Sequence, residues 1–355
     1  MRRGLWTVLV MAMACGDDDM ATDGCADGGA DGGADGGADG GADASDGGND
    51  AEDAGRDASN PLDAGGPSGC GATSPYAAGE TIATSLTHDG VERSFRVRVP
   101  ASYDADTPTP LVLGLHGGGG NGRQFENGSG LTPVAEREGF VVVYPDGTGT
   151  IPTWNAGGCC GSAVRDDVDD VGFVAAILDR LEGELCLDRD RVFATGMSNG
   201  GMMSHRLGCE LSERFAAVAP VAGTLMLDAC TPTRPVHVMH VHGSDDGHVP
   251  WEGGLGCGPA GVPFTSVPDT IEGWRVRNAC AATTTAGFAE GNGSCVDYDA
   301  CTNADVTLCT VDGGGHSWPG GAPPAGLVDC PEDGEHSTTF FASEAVWRFF
   351  ATHAR

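Results

Sequence analysis

Short apolar runs that end in a glycine turn, and are followed by segments of helical spacing, recur through most of the chain. Leu111 to Leu115, Phe140 to Tyr144 and Arg191 to Thr195 are three such runs. Val168 to Leu185 places its apolar side chains at helical spacing. Because strands that alternate with helices form a mostly parallel sheet covered on both faces, the sequence predicts an α/β fold. We also predict strands at Phe95 to Val99, Phe215 to Val221, Val236 to Val241 and Val306 to Val311, and helices at Asn199 to Leu207, Ile271 to Arg277 and Ser343 to Thr352.

The N-terminus has the organisation of an export signal. Arg2 and Arg3 precede a short apolar core, and small residues then lead to Cys15. This resembles a bacterial lipoprotein signal, except that Ala12 stands where such signals usually have Leu. We therefore expect residues 1–15 to direct export and Cys15 to be acylated, which would hold the protein at the outer cell surface or in the periplasm. A plain secretory signal, giving an extracellular protein, is the alternative.

Residues 16–69 are of low complexity. Ala-Asp-Gly-Gly recurs from Ala26 to Gly41, and the segment contains fifteen acidic residues and one arginine. With little to bury and many like charges, it is predicted to be a solvated, disordered tether. A calcium-binding repeat is disfavoured because it needs aliphatic positions that pack a core. Residues 70–355 remain as one domain.

Charge and hydropathy each exclude one class of protein. The chain has a formal net charge of −32 and contains no lysine, so it lacks the clustered cations that nucleic-acid binding requires. Beyond the N-terminus no run of about twenty apolar residues occurs, which excludes a polytopic membrane protein.

Gly196-Met197-Ser198-Asn199-Gly200 lies between a predicted strand and a predicted helix. A nucleophilic serine on a sharp strand-to-helix turn needs small neighbours, and the start of the helix directs free amides at charge developing beside it. The motif alone is weak in a glycine-rich chain, where it also occurs in ordinary turns. Its position between strand and helix makes Ser198 the candidate nucleophile.

A second glycine-rich motif, His116 to Asn121, directly follows an apolar strand. It resembles the oxyanion loop of esterases, where backbone amides must approach a substrate carbonyl. The alternative, a phosphate-binding loop, requires a lysine that this chain does not have. We expect the amides of Gly118 and Asn199 to be the oxyanion donors.

A nucleophilic serine requires a base and an orienting carboxylate. His316 lies in a glycine-rich loop after a predicted strand, which favours it as the base. Asp245 and Asp246 both follow the strand Val236 to Val241, and spacing does not choose between them. The order Ser, Asp, His is that of α/β-hydrolases. Among the other histidines, His237, His240 and His242 fall within or at the end of a predicted strand, where a packing or loop role is expected. His205 lies on the helix after Ser198, and His353 lies near the terminus.

Together these motifs resemble the polyhydroxybutyrate depolymerase and feruloyl esterase family, within the first carbohydrate esterase group. The resemblance implies an α/β-hydrolase fold, hydrolysis through an acyl-enzyme, no cofactor and Asp246 as the acid. Departures are Trp251, where Tyr is common, and the insertion Leu255 to Val262. The supporting stretches are Leu115 to Asn121, Trp154 to Gly157, Cys159 to Gly161, Val168 to Phe173, Ala194 to Met202, His242 to Trp251, Gly253 to Gly254 and Gly314 to Gly320.

The cysteines indicate a disulfide-stabilised exported domain. Apart from Cys15 and Cys25, twelve cysteines remain, and sequence alone does not pair them. The resemblance suggests Cys209 with Cys230 and Cys280 with Cys301, and leaves Cys295 with Cys309 as an extra local pair. Adjacent Cys159 and Cys160 are expected to bond elsewhere, because a vicinal bridge strains the peptide.

Other residues near the motifs have alternative roles. Asp169 and Asp170 are expected to be structural, at the start of a helix. Trp154, Trp251 and Trp318 flank the motif loops and are candidates for an apolar substrate wall, with plain packing as the alternative.

Three questions of function stay open at this point. His240, His242, Asp245, Asp246 and His248 superficially resemble a binuclear zinc signature, but the spacing H-x-H-x-D-H would need Asp at Ser244, so no metal is expected. A catalytically inactive surface-binding module is a second rival. As substrate we favour feruloylated or acetylated polysaccharide over polyhydroxybutyrate or its oligomers, because no separate binding domain follows the terminal helix. We expect a monomer.

Overall fold

The computed structural model describes residues 68–323 and 330–355. The predicted signal peptide with Cys15, and the predicted tether as far as residue 67, lie outside the described residues. None of the helices described is long and apolar enough to cross a membrane.

One large sheet organises the described chain, with the strand order β1-β2-β4-β3-β5-β6-β7-β12-β11-β10. The strands are β1 (Thr81–His88), β2 (Val91–Arg98), β3 (Thr109–Leu115), β4 (Val141–Pro145), β5 (Leu187–Met197), β6 (Ala217–Val221), β7 (His237–Gly243), β10 (Thr284–Glu290), β11 (Gly293–Tyr298) and β12 (Val306–Val311), and the short β8 (Gly254–Leu255) and β9 (Pro263–Phe264) form a separate ribbon.

The six strands from β4 to β12 in the middle of the sheet are parallel, and both edges are antiparallel hairpins. Because the carboxyl ends of parallel strands meet at one edge, the loops after β3, β5, β7 and β12 are brought to the same side. These are the four loops that contain the sequence motifs.

Helices cover both faces of the sheet. Within β3, Leu111 and Leu113 belong to the core on one face and Val112 to the core on the other, as the two-residue period of a strand requires. The first core includes side chains of α4 (Asp170–Glu184), α5 (Asn199–Glu210) and α6 (Val267–Arg277), and the second those of α1 (Gly122–Ser129), α2 (Leu131–Glu138) and α7 (Ala342–Phe350), while α3 (Gly161–Arg165) is one short turn.

The predicted fold class is confirmed, and the errors concern strands at the sheet edges and two helices that cover one face. Strands β1, β10 and β11 and helices α1 and α2 were not predicted. Thr284–Glu290 is mostly exposed, so it has no apolar run that would mark it as a strand. Two edge hairpins therefore extend a parallel centre that the buried runs had already indicated.

Asp169 and Asp170 occupy the structural positions expected of them. The Asp169 side chain caps α4 by accepting from the Gly172 amide. Asp170 is buried, pairs with buried Arg93 at 2.6 Å and accepts from the amide of Asn155 at 2.7 Å. The pair joins the helix to the edge of the sheet, and it fixes the start of the loop beside Trp154.

Six disulfides join the cysteines of the described residues. Three are the pairs Cys209–Cys230, Cys280–Cys301 and Cys295–Cys309. Two connect distant segments, Cys70–Cys186 and Cys257–Cys330.

The expectation that Cys159 and Cys160 bond elsewhere is wrong, because the structure joins them to each other. The ten other cysteines of the described residues pair among themselves, so within this part of the chain each of the two has only its neighbour as partner. The Cys159 carbonyl accepts from Ala156 and the Cys160 amide donates to Trp154, which folds this loop tightly on itself.

Candidate active site

Ser198 lies on the turn between β5 and α5 and has an unusual backbone conformation, with φ 56° and ψ −123°. A non-glycine residue adopts positive φ only where its surroundings enforce it. The turn is crowded, since a Cβ at Gly196 would lie 2.6 Å from the Gly200 carbonyl carbon and one at Gly200 would overlap the Leu115 oxygen. The two glycines therefore allow the backbone to close and leave Ser198 at the tip of the turn.

The structure brings Ser198, His316 and Asp246 together. His316 Nε2 lies 2.9 Å from Ser198 Oγ, and His316 Nδ1 lies 2.8 Å from Asp246 Oδ2. Asp246 is buried, whereas Asp245 is exposed and accepts from the Ser244 hydroxyl. Of the two carboxylates that spacing left open, Asp246 is the one in contact with the imidazole.

The Asp246 carboxylate is fixed at both oxygens. Its Oδ1 accepts from the amides of His248 at 2.9 Å and Val249 at 2.8 Å, while Oδ2 faces His316. Burial by itself would raise the pKa of Asp246, but the charge and hydrogen bond of His316, the nearby His242 and the Val249 amide together lower it. Asp246 is therefore ionised at neutral pH and keeps a fixed orientation.

Asp333 is a residue of the site that sequence reasoning missed. Its Oδ1 accepts from the amides of both Gly247 and His316, each at 2.9 Å. It thus joins the loop that contains the acid to the loop that contains the base. No motif marks it, because it lies in an irregular segment after the cysteine that pairs with Cys257.

His316 is buried and its pKa is raised. Burial opposes the imidazolium and lowers the pKa, but the charge and hydrogen bond of Asp246, together with the charge of Asp333, outweigh burial. A neutral imidazole can accept the serine proton, so a reaction that depends on this base would decline as the pH falls through that raised pKa.

The glycine-rich loop after β3 lies against the serine turn. A Cβ on Gly117 would be 3.4 Å from the Cβ of Ser198, and one on Gly118 would be 3.9 Å from the Cβ of Asn199. Asn199 is the first residue of α5, where backbone amides have no acceptor within the helix. The predicted donors Gly118 and Asn199 are therefore neighbours of each other beside Ser198.

His116 and Trp154 support this loop from behind. His116 accepts from the Gly147 amide through Nε2, and its Nδ1 donates to the Gly117 carbonyl. The Trp154 indole donates to the His116 carbonyl at 2.9 Å, and the Trp154 backbone bonds the Asn199 side chain twice. Burial lowers the pKa of His116 by more than the Gly117 carbonyl and Asp146 raise it. The imidazole is therefore neutral, with one nitrogen that accepts and one that donates.

Two of the three tryptophans predicted as a substrate wall are internal. Trp154 is fully buried by the contacts just described, and Trp318 is 4% exposed, where its indole donates to Ser343 and meets the edge of Phe125. The prediction that these two residues contact substrate is wrong, because both side chains are packed into the two cores. Trp251 is only partly buried and keeps exposed surface beside the acid loop.

The zinc arrangement considered from the sequence is not available to His240 and His242. The Nε2 of His240 bonds the Nδ1 of His242, and their other ring nitrogens bond His205 and the Val249 carbonyl. All four nitrogens are therefore engaged. Asp246, His248 and Asp333 do lie close enough to share an ion, but Asp246 and Asp333 already accept the hydrogen bonds that hold His316.

The known proteins that this chain resembles are esterases. A family model described as Esterase PHB depolymerase matches residues 94–251. Feruloyl esterase B of Piromyces equi is 32% identical over 63% of this chain, and the chain spans 42% of its length. The putative esterase NocK of Nocardia uniformis subsp. tsuyamanensis is 32% identical over 70% of this chain and 77% of its own. An acetyl xylan esterase structure from Aspergillus awamori has the same fold, with a TM-score of 0.52, 16% identity, and coverage of 69% of this chain and 96% of that one.

The geometry predicts how His316 titrates. Its pKa, followed through the imidazole signals by NMR, should lie above the ordinary value of about 6.5. Asp246→Asn removes the facing charge and should lower that pKa, since burial then dominates. Asp245→Asn is the matched control and should leave the titration unchanged, because Asp245 is exposed and does not touch the ring. A pKa that responds to Asp245→Asn instead would contradict the assignment of the acid.

Proposed function

The chain belongs to the PHB depolymerase family of esterases, and we propose that it is an exported serine carboxylic-ester hydrolase with Ser198, His316 and Asp246 as its catalytic triad. The observation on which the proposal rests is the continuous hydrogen-bonded row from Ser198 Oγ through His316 to Asp246, on a serine turn with positive φ. Esterase is also the name given to the relatives that the chain resembles.

The mechanism uses these residues in sequence. Ser198 Oγ attacks the ester carbonyl while His316 Nε2 takes the hydroxyl proton, and Asp246 holds the ring and balances the imidazolium charge. The imidazolium then gives the proton to the departing alcohol, which leaves an acyl group on Ser198. Water, deprotonated by the same imidazole, attacks the acyl-enzyme and releases the acid. The regenerated serine recovers the proton, so the cycle needs no further reactant.

The amides of Gly118 and Asn199 stabilise the oxyanion of each tetrahedral intermediate. Their closeness to each other beside Ser198 suits this role. In comparable sites, one such donor contributes about 3 kcal/mol to transition-state stabilisation. Glycines at 117 and 118 matter because a side chain there would occupy the space of the substrate carbonyl.

Ser198→Ala tests the nucleophile. The substitution should reduce hydrolysis of p-nitrophenyl acetate to at most a few per cent, without changing the thermal unfolding midpoint. Ser85→Ala, on edge strand β1, is the control and should keep full activity. A metal chelator should leave the wild-type rate unchanged. A large loss of rate on chelation would instead support a metallohydrolase.

We propose a carbohydrate-linked ester, feruloyl or acetyl, as the natural substrate. Trp251 retains exposed surface at the acid loop, where its ring can stack on an aromatic acyl group. Feruloyl esterases and a bifunctional acetylxylan esterase/xylanase are among the relatives that the chain resembles. Soluble or loosely packed esters suit a single site of this kind.

A hydroxybutyrate oligomer is the second candidate. Ile151 is 70% exposed and adjoins Gly119 of the oxyanion loop, and Leu255 is 71% exposed in the insertion beside the acid loop. Exposed aliphatic side chains in both of these segments would suit an aliphatic polyester.

A substrate panel separates the two candidates. We expect kcat/KM for methyl ferulate or acetylated xylan to exceed that for a hydroxybutyrate oligomer. Trp251→Ala should lower kcat/KM for methyl ferulate by about three- to tenfold and leave p-nitrophenyl acetate nearly unaffected. A tenfold preference for the oligomer, about 1.4 kcal/mol of transition-state binding, would reverse the order.

For the N-terminal region we propose a signal peptide at residues 1–15, acylation of Cys15 and a tether to residue 69. The lipid would hold the protein at a membrane surface, and the acidic, glycine-rich segment would separate the domain at 70–355 from it. The disulfides of the described residues suit an oxidising compartment outside the cytoplasm.

Mass spectrometry of the mature N-terminus tests this arrangement. The expected product begins at Cys15 and has the added mass of acyl chains, and Cys15→Ser should abolish that mass and release the protein from membranes. A mature protein that begins after residue 15 with a free amine would contradict lipidation, while leaving export as the explanation of the disulfides.

A further inference from the structure

Three buried histidines form a hydrogen-bonded row that ends at the Val249 carbonyl, beside the acid of the triad. His205 Nε2 lies 3.2 Å from His240 Nδ1, and His240 Nε2 lies 3.1 Å from His242 Nδ1. His242 Nε2 lies 2.8 Å from the Val249 carbonyl and 3.4 Å from Asp246 Oδ2. At the opposite end, the Trp274 indole donates to His205 Nδ1 at 3.0 Å.

The row connects three elements of the fold. His240 and His242 are two residues apart on β7 and therefore share a face of the sheet. His205 is on α5, the helix that begins at the nucleophile turn, and Trp274 is on α6. All four side chains are at most 1% exposed. The row thus joins the helix behind Ser198 to the loop that contains Asp246.

The two ends determine which nitrogen of each ring has the proton. An indole N–H only donates and a carbonyl only accepts. His205 Nδ1 must therefore be unprotonated, so the proton of His205 is on Nε2, which donates to His240 Nδ1. By the same reasoning His240 Nε2–H donates to His242 Nδ1, and His242 Nε2–H donates to the Val249 carbonyl. Every ring is then a neutral Nε2–H tautomer, and every N–H donates in the direction of the Val249 carbonyl.

The surrounding charges favour the same arrangement. Arg277 lies at the Trp274 end and disfavours any extra proton on His205, whereas Asp246 and His316 face His242 at the other end. Burial, as the largest cause, lowers the pKa of His205 to about 3 and lowers the pKa of His240 and His242. The rings therefore remain neutral while His316 titrates, and the donor end of the row lies beside the Asp246 carboxylate.

The row does not conduct protons from solvent. Its far end is an indole N–H that is fully buried, and an indole does not give up its proton near neutral pH. The chemistry of its ends thus restricts the row to orientation and electrostatics.

We propose that His205, His240 and His242 are positioning residues that hold Asp246 ionised and aimed at His316. The inference rests on the proposed triad and adds to it a second support for the acid, beside the amides of His248 and Val249. His242 donates its N–H to the Val249 carbonyl in the acid loop, and the same ring nitrogen lies 3.4 Å from the carboxylate oxygen that faces His316. The two preceding rings fix the direction of that N–H.

NMR of the full chain labelled with 15N-histidine tests the protonation pattern directly. The signals of the three rings should show neutral Nε2–H tautomers that do not titrate between about pH 5 and 8, whereas an unperturbed histidine titrates in that range. Substitution of each ring in turn assigns its signals. A protonated ring, or an Nδ1–H tautomer in any of the three, would overturn the proposal.

Kinetics test the consequence. His240→Leu interrupts the row and should lower kcat for p-nitrophenyl acetate by about tenfold or more with little change in KM. It should also lower the pKa of His316. His240→Gln offers one acceptor and one donor and should restore much of both. His237→Leu is the control, because it lies at the other end of β7 and bonds the Asp305 amide.

The outcomes separate this inference from the function on which it rests. If His240→Leu folds and changes neither kcat nor the pKa of His316, while Ser198→Ala abolishes hydrolysis, the row is only core packing and the proposal fails. If Ser198→Ala retains hydrolysis, the proposed triad fails, whatever the tautomers are.

Discussion

The backbone turn at Ser198 is the constraint on which the rest of the candidate site depends. It closes only because Gly196, Gly200 and Gly223 leave no Cβ in its path; a Cβ at Gly223 would overlap the Ser198 carbonyl oxygen. The positive φ of Ser198 is then maintained by β5 and α5, which are packed into the sheet and one core. A nucleophile placed this way is held by buried structure, and its orientation does not rely on a surface loop.

The parallel centre of the sheet extends this constraint to the other residues. Because β3, β5, β7 and β12 end at one edge, four separate loops meet around Ser198. The loops after β7 and β12 are irregular, and further contacts cross-link them. Asp333 bonds the amides of Gly247 and His316, and the Cys257–Cys330 disulfide ties the insertion to the same segment. The acid and the base are thus fixed relative to each other by contacts that bypass the sheet.

The sequence predicts what depends on local pattern. Buried strands of the centre have continuous apolar runs, so the sequence indicates them. The motifs around Ser198, His116 and His316 combine glycines with a position at a strand end, and the sequence indicates these motifs too. Spacing did not separate Asp245 from Asp246, because burial decides between neighbours and burial is a tertiary property. The half-exposed edge strands have no such run, and they were missed for that reason.

What the sequence does not predict depends on contacts between distant residues. Trp154 sits beside a motif, and from spacing alone it looks like a substrate contact; its indole instead donates to His116 and is buried. His205, His240 and His242 have no common motif, because they come from a helix and a strand that meet only in the fold. A buried histidine normally costs stability unless both ring nitrogens are bonded. A chain of three can satisfy that condition only when one end is a donor and the other an acceptor, and Trp274 and the Val249 carbonyl provide those ends. The row is therefore self-consistent as a unit, and its direction follows from the chemistry of its two ends.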